Sequence, residues 1–476
     1  MTPDPSPGPH RTNPASTSIP ASPTDPIRAA VQRVLPGVRA DLERLVAIPS
    51  VSADPAAAPH LADSAREVAG LLRQAGLPEV GIVQLDGGQP AVLARRPAPP
   101  GAPTVLLYAH HDVQPTGDRA GWDSDPFAPV VRDGRLYGRG AADDKAGLAV
   151  HLAALRAHGD SLPVGVTVLV EGEEEIGSPT LEAFLDACHD RLAADVVVFA
   201  DAVNWTADIP ALTTTLRGGV TVTVEVRTLR HGVHSGLFGG PVPDALTALC
   251  RLLATLHDEN GDVAVPGLRR GLTPDAPGAP GGPELTEAQL RADAGLLDGV
   301  QLIGTGGITE RLWSAPALSV IGMNTTSIAE ASSTLIPVAR AKVSLRVAPG
   351  DDAARARDAL TAHLTASAPW GVQVSVRAGP PIAPYAAPAG GPAHQVMHEA
   401  LTQSFGTPAV DVGVGGSIPF VTAYARHFPG AEILITGVED PDTSAHGPNE
   451  SLHLTLFTRA CEAEALFLSR LAGHPA

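Results

Sequence analysis

Four short runs, Val105 to Tyr108, Val164 to Val170, Val196 to Phe199 and Ile433 to Ile435, are apolar without polar alternation. That texture predicts strands covered on both faces, as in a parallel or mixed sheet between helices. Helices are predicted around them. One runs from Ile27 to Ile48, opened by Asp25-Pro26 and kinked at Pro36; a second spans Leu61 to Ala75 and ends at Gly76; a third covers Ala146 to His158. The middle of the chain reads differently. Thr221 to Arg227, Lys342 to Val347 and Val372 to Val376 alternate polar and apolar residues, the pattern of a half-buried sheet. Helical patterns at Pro243 to Leu256 and Asp352 to Ala366, and an apolar strand near Leu318 to Gly322, complete a β-α-β-β-α-β order, that of a small α+β sandwich. Buried-strand texture resumes at Glu432 to Thr436, so the second domain is expected to be inserted into the first. The expected fold is α/β, a mixed sheet flanked by helices, with an inserted α+β domain. The expected segments are a Pro-rich tail over 1–26, a first catalytic part over 27–213, the insert over 214–384 and a second catalytic part over 385–476.

Composition narrows this picture. At 476 residues the chain has room for about three domains, which the texture reduces to two. Eight prolines among residues 1 to 26, with no hydrophobic period, predict a disordered tail. The Gly/Pro-rich stretch from Pro266 to Pro283 reads as a long loop. A formal charge of −18, from 33 Lys+Arg against 51 Asp+Glu, disfavours nucleic acid or an anionic membrane surface as partner. Cys188, Cys250 and Cys461 are too few and too scattered for a disulfide framework or a thiolate zinc site. With no membrane-length apolar run and no signal-peptide pattern, the reading is a soluble, cytoplasmic protein.

The chemistry gathers at one edge of the predicted sheet. His110-His111-Asp112, Glu171 to Glu175, Asp201 and His446 all stand at or soon after the carboxyl ends of buried strands, where open α/β sheets bind ligands. A further cluster, Gly138 to Lys145, precedes a helix. Carboxylates this dense repel one another unless cations compensate. Imidazole and carboxylate donors without thiolate suit zinc, manganese or cobalt. Two divalent ions against three coordinating carboxylates leave the cluster near neutral, which points to a dinuclear hydrolase.

The motifs Tyr108 to Pro115 (YAHHDVQP), Leu136 to Gly147 (LYGRGAADDKAG), Glu171 to Ser178 (EGEEEIGS), His234-Ser235-Gly236 and Ala445 to Glu450 (AHGPNE) occur in order. In them the chain resembles the dinuclear-zinc metallopeptidases that include carnosinases, cytosolic non-specific dipeptidases and aminoacylases. The resemblance extends over nearly the whole chain after the tail and implies a zinc-exopeptidase-like catalytic domain with an inserted lid and dimerisation domain. It implies two divalent ions, zinc foremost, one held by His110, Asp143 and Asp201 and the other by Asp143, Glu175 and His446, with Asp143 as the bridge. It makes Glu174 the general base and Asp112 the residue that orients His110. It also implies a cis peptide after Asp143. His234 resembles the histidine that such enzymes supply across a homodimer interface to stabilise the oxyanion. Arg346 resembles the clamp on the substrate's terminal carboxylate, a task suited to a bidentate guanidinium, and Thr334 and Ser417 resemble further substrate contacts.

The chain departs from the family pattern at Gly413 and Val414, where many relatives have Arg-Glu, and at Gly232, where an Asp is common. These departures bear on substrate preference and on the support of His234 and Ser417. Other partial motifs fail. His398-Glu399 lacks a histidine at 402, and Gly415 to Pro419 lacks the last glycine of a nucleophile elbow. His151 reads as a packed or surface histidine and His231 as exposed. The implied reaction is metal-assisted hydrolysis of dipeptides or similarly short peptides with a free carboxylate. The alternatives are an N-acyl amino acid deacylase or desuccinylase on the same centre, and a non-catalytic metal-binding protein of the same fold.

Overall fold

The computed structural model describes residues 26–272, 279–388 and 390–473. The tail expectation over residues 1 to 25 and the centre of the 266–283 loop lie outside them. Two compact units are present among the described residues: one of Thr215–Ala386 with Gly413–Ile418, the other of the residues from Pro26 to Thr214 together with Ala387–Val412 and those from Pro419 to Gly473.

The larger unit is built on a mixed sheet in the order Glu79–Val83, Ala91–Arg96, Gly165–Glu171, Thr104–His110, Val196–Phe199, Glu432–Ile435, Ala211–Leu216. The four strands from Gly165–Glu171 to Glu432–Ile435 run parallel, and the flanking pairings are antiparallel. These four are the apolar runs of the sequence. Gly165–Glu171 and Val196–Phe199 are buried at every position, as a sheet covered on both faces requires.

Helix Lys145–His158 packs on Thr104–His110 and between helices Pro26–Val46 and Leu454–Leu471. It is buried nearly all round. Its His151 is packed, not a surface residue: Nδ1 lies 2.9 Å from Glu464 Oε1 and Nε2 3.0 Å from the Tyr108 carbonyl. Two acceptors facing both ring nitrogens are satisfied only by the charged imidazolium. Burial pulls its pKa down, but Glu464 outweighs burial and holds it above the ordinary value.

The loop before this helix is tied from three sides. Asp144 caps the helix through Gly147 N–H, and its other oxygen accepts the His110 N–H at 3.1 Å. The buried Lys145 ammonium donates to the carbonyls of Leu45 and Ile48, both at 2.8 Å, at the end of helix Pro26–Val46, a cationic cap of exposed carbonyls. Glu450, wholly buried, accepts N–H groups from Gly140, Ala142 and Asp143 at 3.0 to 3.1 Å and pairs with the buried Arg139 at 2.7 Å.

The smaller unit has the β-α-β-β-α-β order read from the sequence: Gly218–Arg227, Ala245–Ala254, Ala317–Asn324, Val338–Val347, Ala353–Ala366 and Gln373–Ala378. Its strands form one antiparallel sheet. The apolar set Val220, Val222, Val224, Val226, Val343 and Leu345 faces the two helices in a separate core. Asp244 and Asp352 N-cap those helices, each carboxylate accepting a backbone N–H three residues on. Among the described residues no helix is long and apolar enough to cross a membrane.

Two stability predictions follow from the buried charges. Glu450→Ala strands the Arg139 guanidinium and three backbone donors, and should cost about 3–5 kcal/mol in denaturant unfolding; a cost below about 1 kcal/mol would show that the pair does not hold the loop. For His151, whose pKa is raised in the folded state, the stabilisation is complete below the ordinary histidine value and lost as pH rises through the folded value. His151→Asn should therefore lose more stability relative to wild type at pH 6 than at pH 10, and equal losses would mean that the folded ring is neutral.

Candidate metal centre

His110, at the end of Thr104–His110, and Asp201, just past Val196–Phe199, come together with Asp143 from the loop that Glu450 holds. Asp143, Glu175 and His446 form a second group. In each group the ligand atoms lie within 4.8 Å of one another. Asp143 belongs to both. Its Oδ1 is 3.1 Å from His110 Nε2 and its Oδ2 is 3.0 Å from His446 Nε2. Asp201 Oδ2 approaches His110 Nε2 to 3.7 Å, and Glu175 Oε2 approaches His446 Nε2 to 3.3 Å.

The donors are oriented from behind. His110 Nδ1 lies 3.0 Å from the Asp112 carbonyl. A carbonyl only accepts, so Nδ1 carries a hydrogen whether or not Nε2 does. His110 Nε2 is buried and makes no aligned hydrogen bond, although Asp143 is close. A buried nitrogen left this way, facing carboxylates, fits a metal ligand. The Asp112 carboxylate accepts the N–H groups of Glu174 and Glu175 at 3.3 and 3.1 Å, so one residue orients the first histidine and the acidic turn. Gln114 donates to Glu175 through its backbone N–H at 3.1 Å and its side chain at 2.8 Å. His446 has a left-handed backbone, φ 61°, uncommon for a non-glycine residue, and an exposed side chain. The peptide between Asp143 and Asp144 is cis.

The electrostatics have one theme. Without cations, burial and then Asp143 push the Asp201 carboxyl up to about 7. Hydrogen bonds to Asp143 and Glu175 raise His446 to about 11. Burial, with Asp201, Glu175 and Glu171 nearby, pushes Glu174 well above the usual carboxylate range despite His110. Protons are retained on a set of groups whose charges cannot be balanced within the chain, as expected where cations belong.

In the smaller unit, the two-residue strand Val233–His234 pairs with Thr334–Leu335, which sets His234 opposite Thr334. His234 is exposed; its Nδ1 accepts the Gly236 N–H at 3.0 Å, leaving Nε2 outward. Arg346 Nη1 donates to Ser417 Oγ at 3.3 Å. The glycine departures have steric reasons. A Cβ on Gly413 would come within 2.6 Å of Thr215 Oγ1 and Trp313 Cβ, and one on Gly232 within 2.9 Å of Thr334 Cγ2. His231 is exposed, and His398 lies in helix Pro392–Phe405.

The roles of Glu450, Arg139 and Gln114 were missed in the sequence. All three lie inside the quoted motifs, but nothing in a linear motif says which carboxylate collects backbone donors 307 to 310 residues away.

The model of Peptidase family M20/M25/M40 matches residues 106–470. The chain is 38% identical over 373 residues to the cysteinylglycine-S-conjugate dipeptidase of Corynebacterium striatum, covering 77% of this chain and 81% of that protein. It is 30% identical over 458 residues to the Cys-Gly metallodipeptidase dug1 of Schizosaccharomyces pombe, covering 91% and 95%. The crystal structure of human carnosine dipeptidase 1 superposes with a TM-score of 0.80 at 25% identity, covering 95% of this chain and 100% of that one. With its two ligand groups sharing Asp143 and a match of this extent, the chain belongs to Peptidase family M20/M25/M40.

Proposed function

We propose that the chain is a metallodipeptidase that hydrolyses the amide bond of dipeptides or similarly short peptides with a free C-terminal carboxylate. The observation that carries this reading is the pair of ligand groups sharing Asp143 beside the Glu174 carboxylate. Family membership and relatives described as dipeptidases support it. The donor set favours zinc, with manganese or cobalt as alternatives. His110, Asp143 and Asp201 would hold one ion and Asp143, Glu175 and His446 the other. Two bound divalent ions would polarise the scissile carbonyl and lower the pKa of water at the centre.

The chain's own residues do the rest. Glu174 takes a proton from the attacking water and passes it to the departing amine, a task suited to a carboxylate that adjoins Glu175 in the chain. Asp112 keeps that carboxylate in place through the Glu174 and Glu175 N–H groups and fixes the His110 ring. Arg346 binds the substrate carboxylate, with Ser417 and Thr334 as further contacts. His234 donates to the developing oxyanion from its outward Nε2, supplied across a homodimer interface. The smaller unit leaves apolar side chains uncovered on edge strand Ala317–Asn324 (Val320, Ile321, Met323) and at Leu237, Phe238 and Ile328, the last 97% exposed. An exposed edge strand with apolar neighbours supports self-association. Three free cysteines support a reducing, cytoplasmic location.

A panel of dipeptides against N-acetyl and N-succinyl amino acids tests the activity; turnover of acyl substrates with none of dipeptides would replace the reading with a deacylase. Glu174→Gln should lower kcat by about 10²–10⁴-fold with metal content unchanged, whereas an unchanged kcat would remove Glu174 from the reaction. The sharing of His234 is tested by a heterodimer of His234→Ala and Glu174→Gln subunits. Action across the interface leaves one intact site of the two and restores activity; action within a subunit leaves none.

A further inference from the structure

Arg217 is a buried guanidinium, 8% exposed, that forms no ion pair among the described residues. It joins three segments of the smaller unit. Its backbone N–H donates to the Val414 carbonyl at 3.3 Å, its Nε to the Gly415 carbonyl at 3.0 Å, and its Nη1 to the carbonyls of Arg311 and Ala315 at 3.3 and 3.1 Å. Its own carbonyl accepts Ser417 Oγ–H at 2.7 Å. That bond spends the only proton of the hydroxyl, so Ser417 must accept from Arg346, as the 3.3 Å contact records.

The room for this arrangement comes from glycine. A Cβ at Gly415 would stand 2.5 Å from Arg217 Nη2 and 2.8 Å from the Leu312 carbonyl. Any other residue at 415 would push the guanidinium away from the loop that carries Ser417. The charge is also unusual. Burial, and then the Arg346 charge, bring Arg217 down to about 10. Two neighbouring guanidinium groups that share no carboxylate among the described residues form a site suited to an anion.

We propose that Arg217 is the positioning residue of a carboxylate subsite, fixing Ser417 and adding positive charge behind Arg346 so that the pair takes a peptide's terminal carboxylate. This rests on the role given to Arg346 above. Carbonyl acceptors saturate three of its nitrogen–hydrogen bonds without neutralising it, so its charge stays available to the bound anion. Arg217 itself does not need to touch substrate.

The test compares steady-state kinetics on the best-cleaved dipeptide and on its C-terminal amide, for wild type, Arg346→Ala, Arg217→Met and Arg217→Lys. Wild type should prefer the free carboxylate, and Arg346→Ala should erase that preference. Arg217→Met should raise KM for the dipeptide about tenfold or more, the scale of losing a charge-assisted bond, with kcat little changed and KM for the amide unmoved. Arg217→Lys keeps the charge but cannot span both sets of carbonyls, and should raise the dipeptide KM in the same sense by less; it carries the test if Arg217→Met does not fold. Equal kcat losses on both substrates with KM unchanged, or no effect from either Arg217 variant while Arg346→Ala erases the preference, would overturn the inference. No effect from Arg346→Ala would instead overturn the carboxylate-clamp reading beneath it.

Discussion

Mutual repulsion among buried carboxylates is the constraint on which this protein turns. Asp143 is shared by two ligand groups and presents one oxygen to His110 and the other to His446. Asp201, Glu175 and Glu174 crowd the same space. A chain left to itself would separate these acids or protonate them: burial first, and neighbouring carboxylates after it, raise Asp201 and Glu174, while despite burial His110 and His446 hold Asp143 down. Cations relieve the repulsion. The site therefore has to be held together by structure before a cation arrives, and much of the larger unit serves that end.

The holding groups are themselves buried and ionisable. Glu450 gathers the backbone of residues 140 to 143 and is balanced by Arg139; Asp144 ties His110 to the following helix; Lys145 ties the same loop to the end of the first helix. Each would be costly to leave without its hydrogen-bond partners. Together they fix the Asp143 backbone more tightly than apolar packing could, because hydrogen bonds to one carboxylate specify direction as well as distance. The smaller unit uses the opposite charge: Arg217 and Arg346 both meet Ser417, and among the described residues neither is paired with an acid.

Much of this was legible in the sequence because strand burial and motif position coincide. The central strands announce themselves as unbroken apolar runs, and His110, Asp201 and the 171–175 acids sit at their carboxyl ends. The inserted sheet was readable from strict alternation, Val220 to Val226 inward and Thr221 to Arg227 outward. Other elements were not. Helix Leu454–Leu471 buries two glutamates, Glu462 and Glu464, among its apolar residues, so composition alone does not mark its covered face. Strand Ala211–Leu216 mixes threonines with apolar residues yet is fully buried, and looks like neither pattern. Among site residues, those with unusual chemistry stood out, whereas Gln114, Glu450 and Arg217 act through backbone groups distant in sequence and could be found only after folding.

The central claim, that Asp143 makes one centre of two ligand groups, is tested most directly by metal content. Wild type and Asp143→Asn, each saturated with zinc and freed of excess, would be compared by elemental analysis together with zinc titration. Removing a shared ligand should empty both positions, taking wild type from two equivalents per chain to none or nearly none. Retention of one tightly held equivalent with unchanged affinity would mean that the groups are independent and that Asp143 does not bridge them.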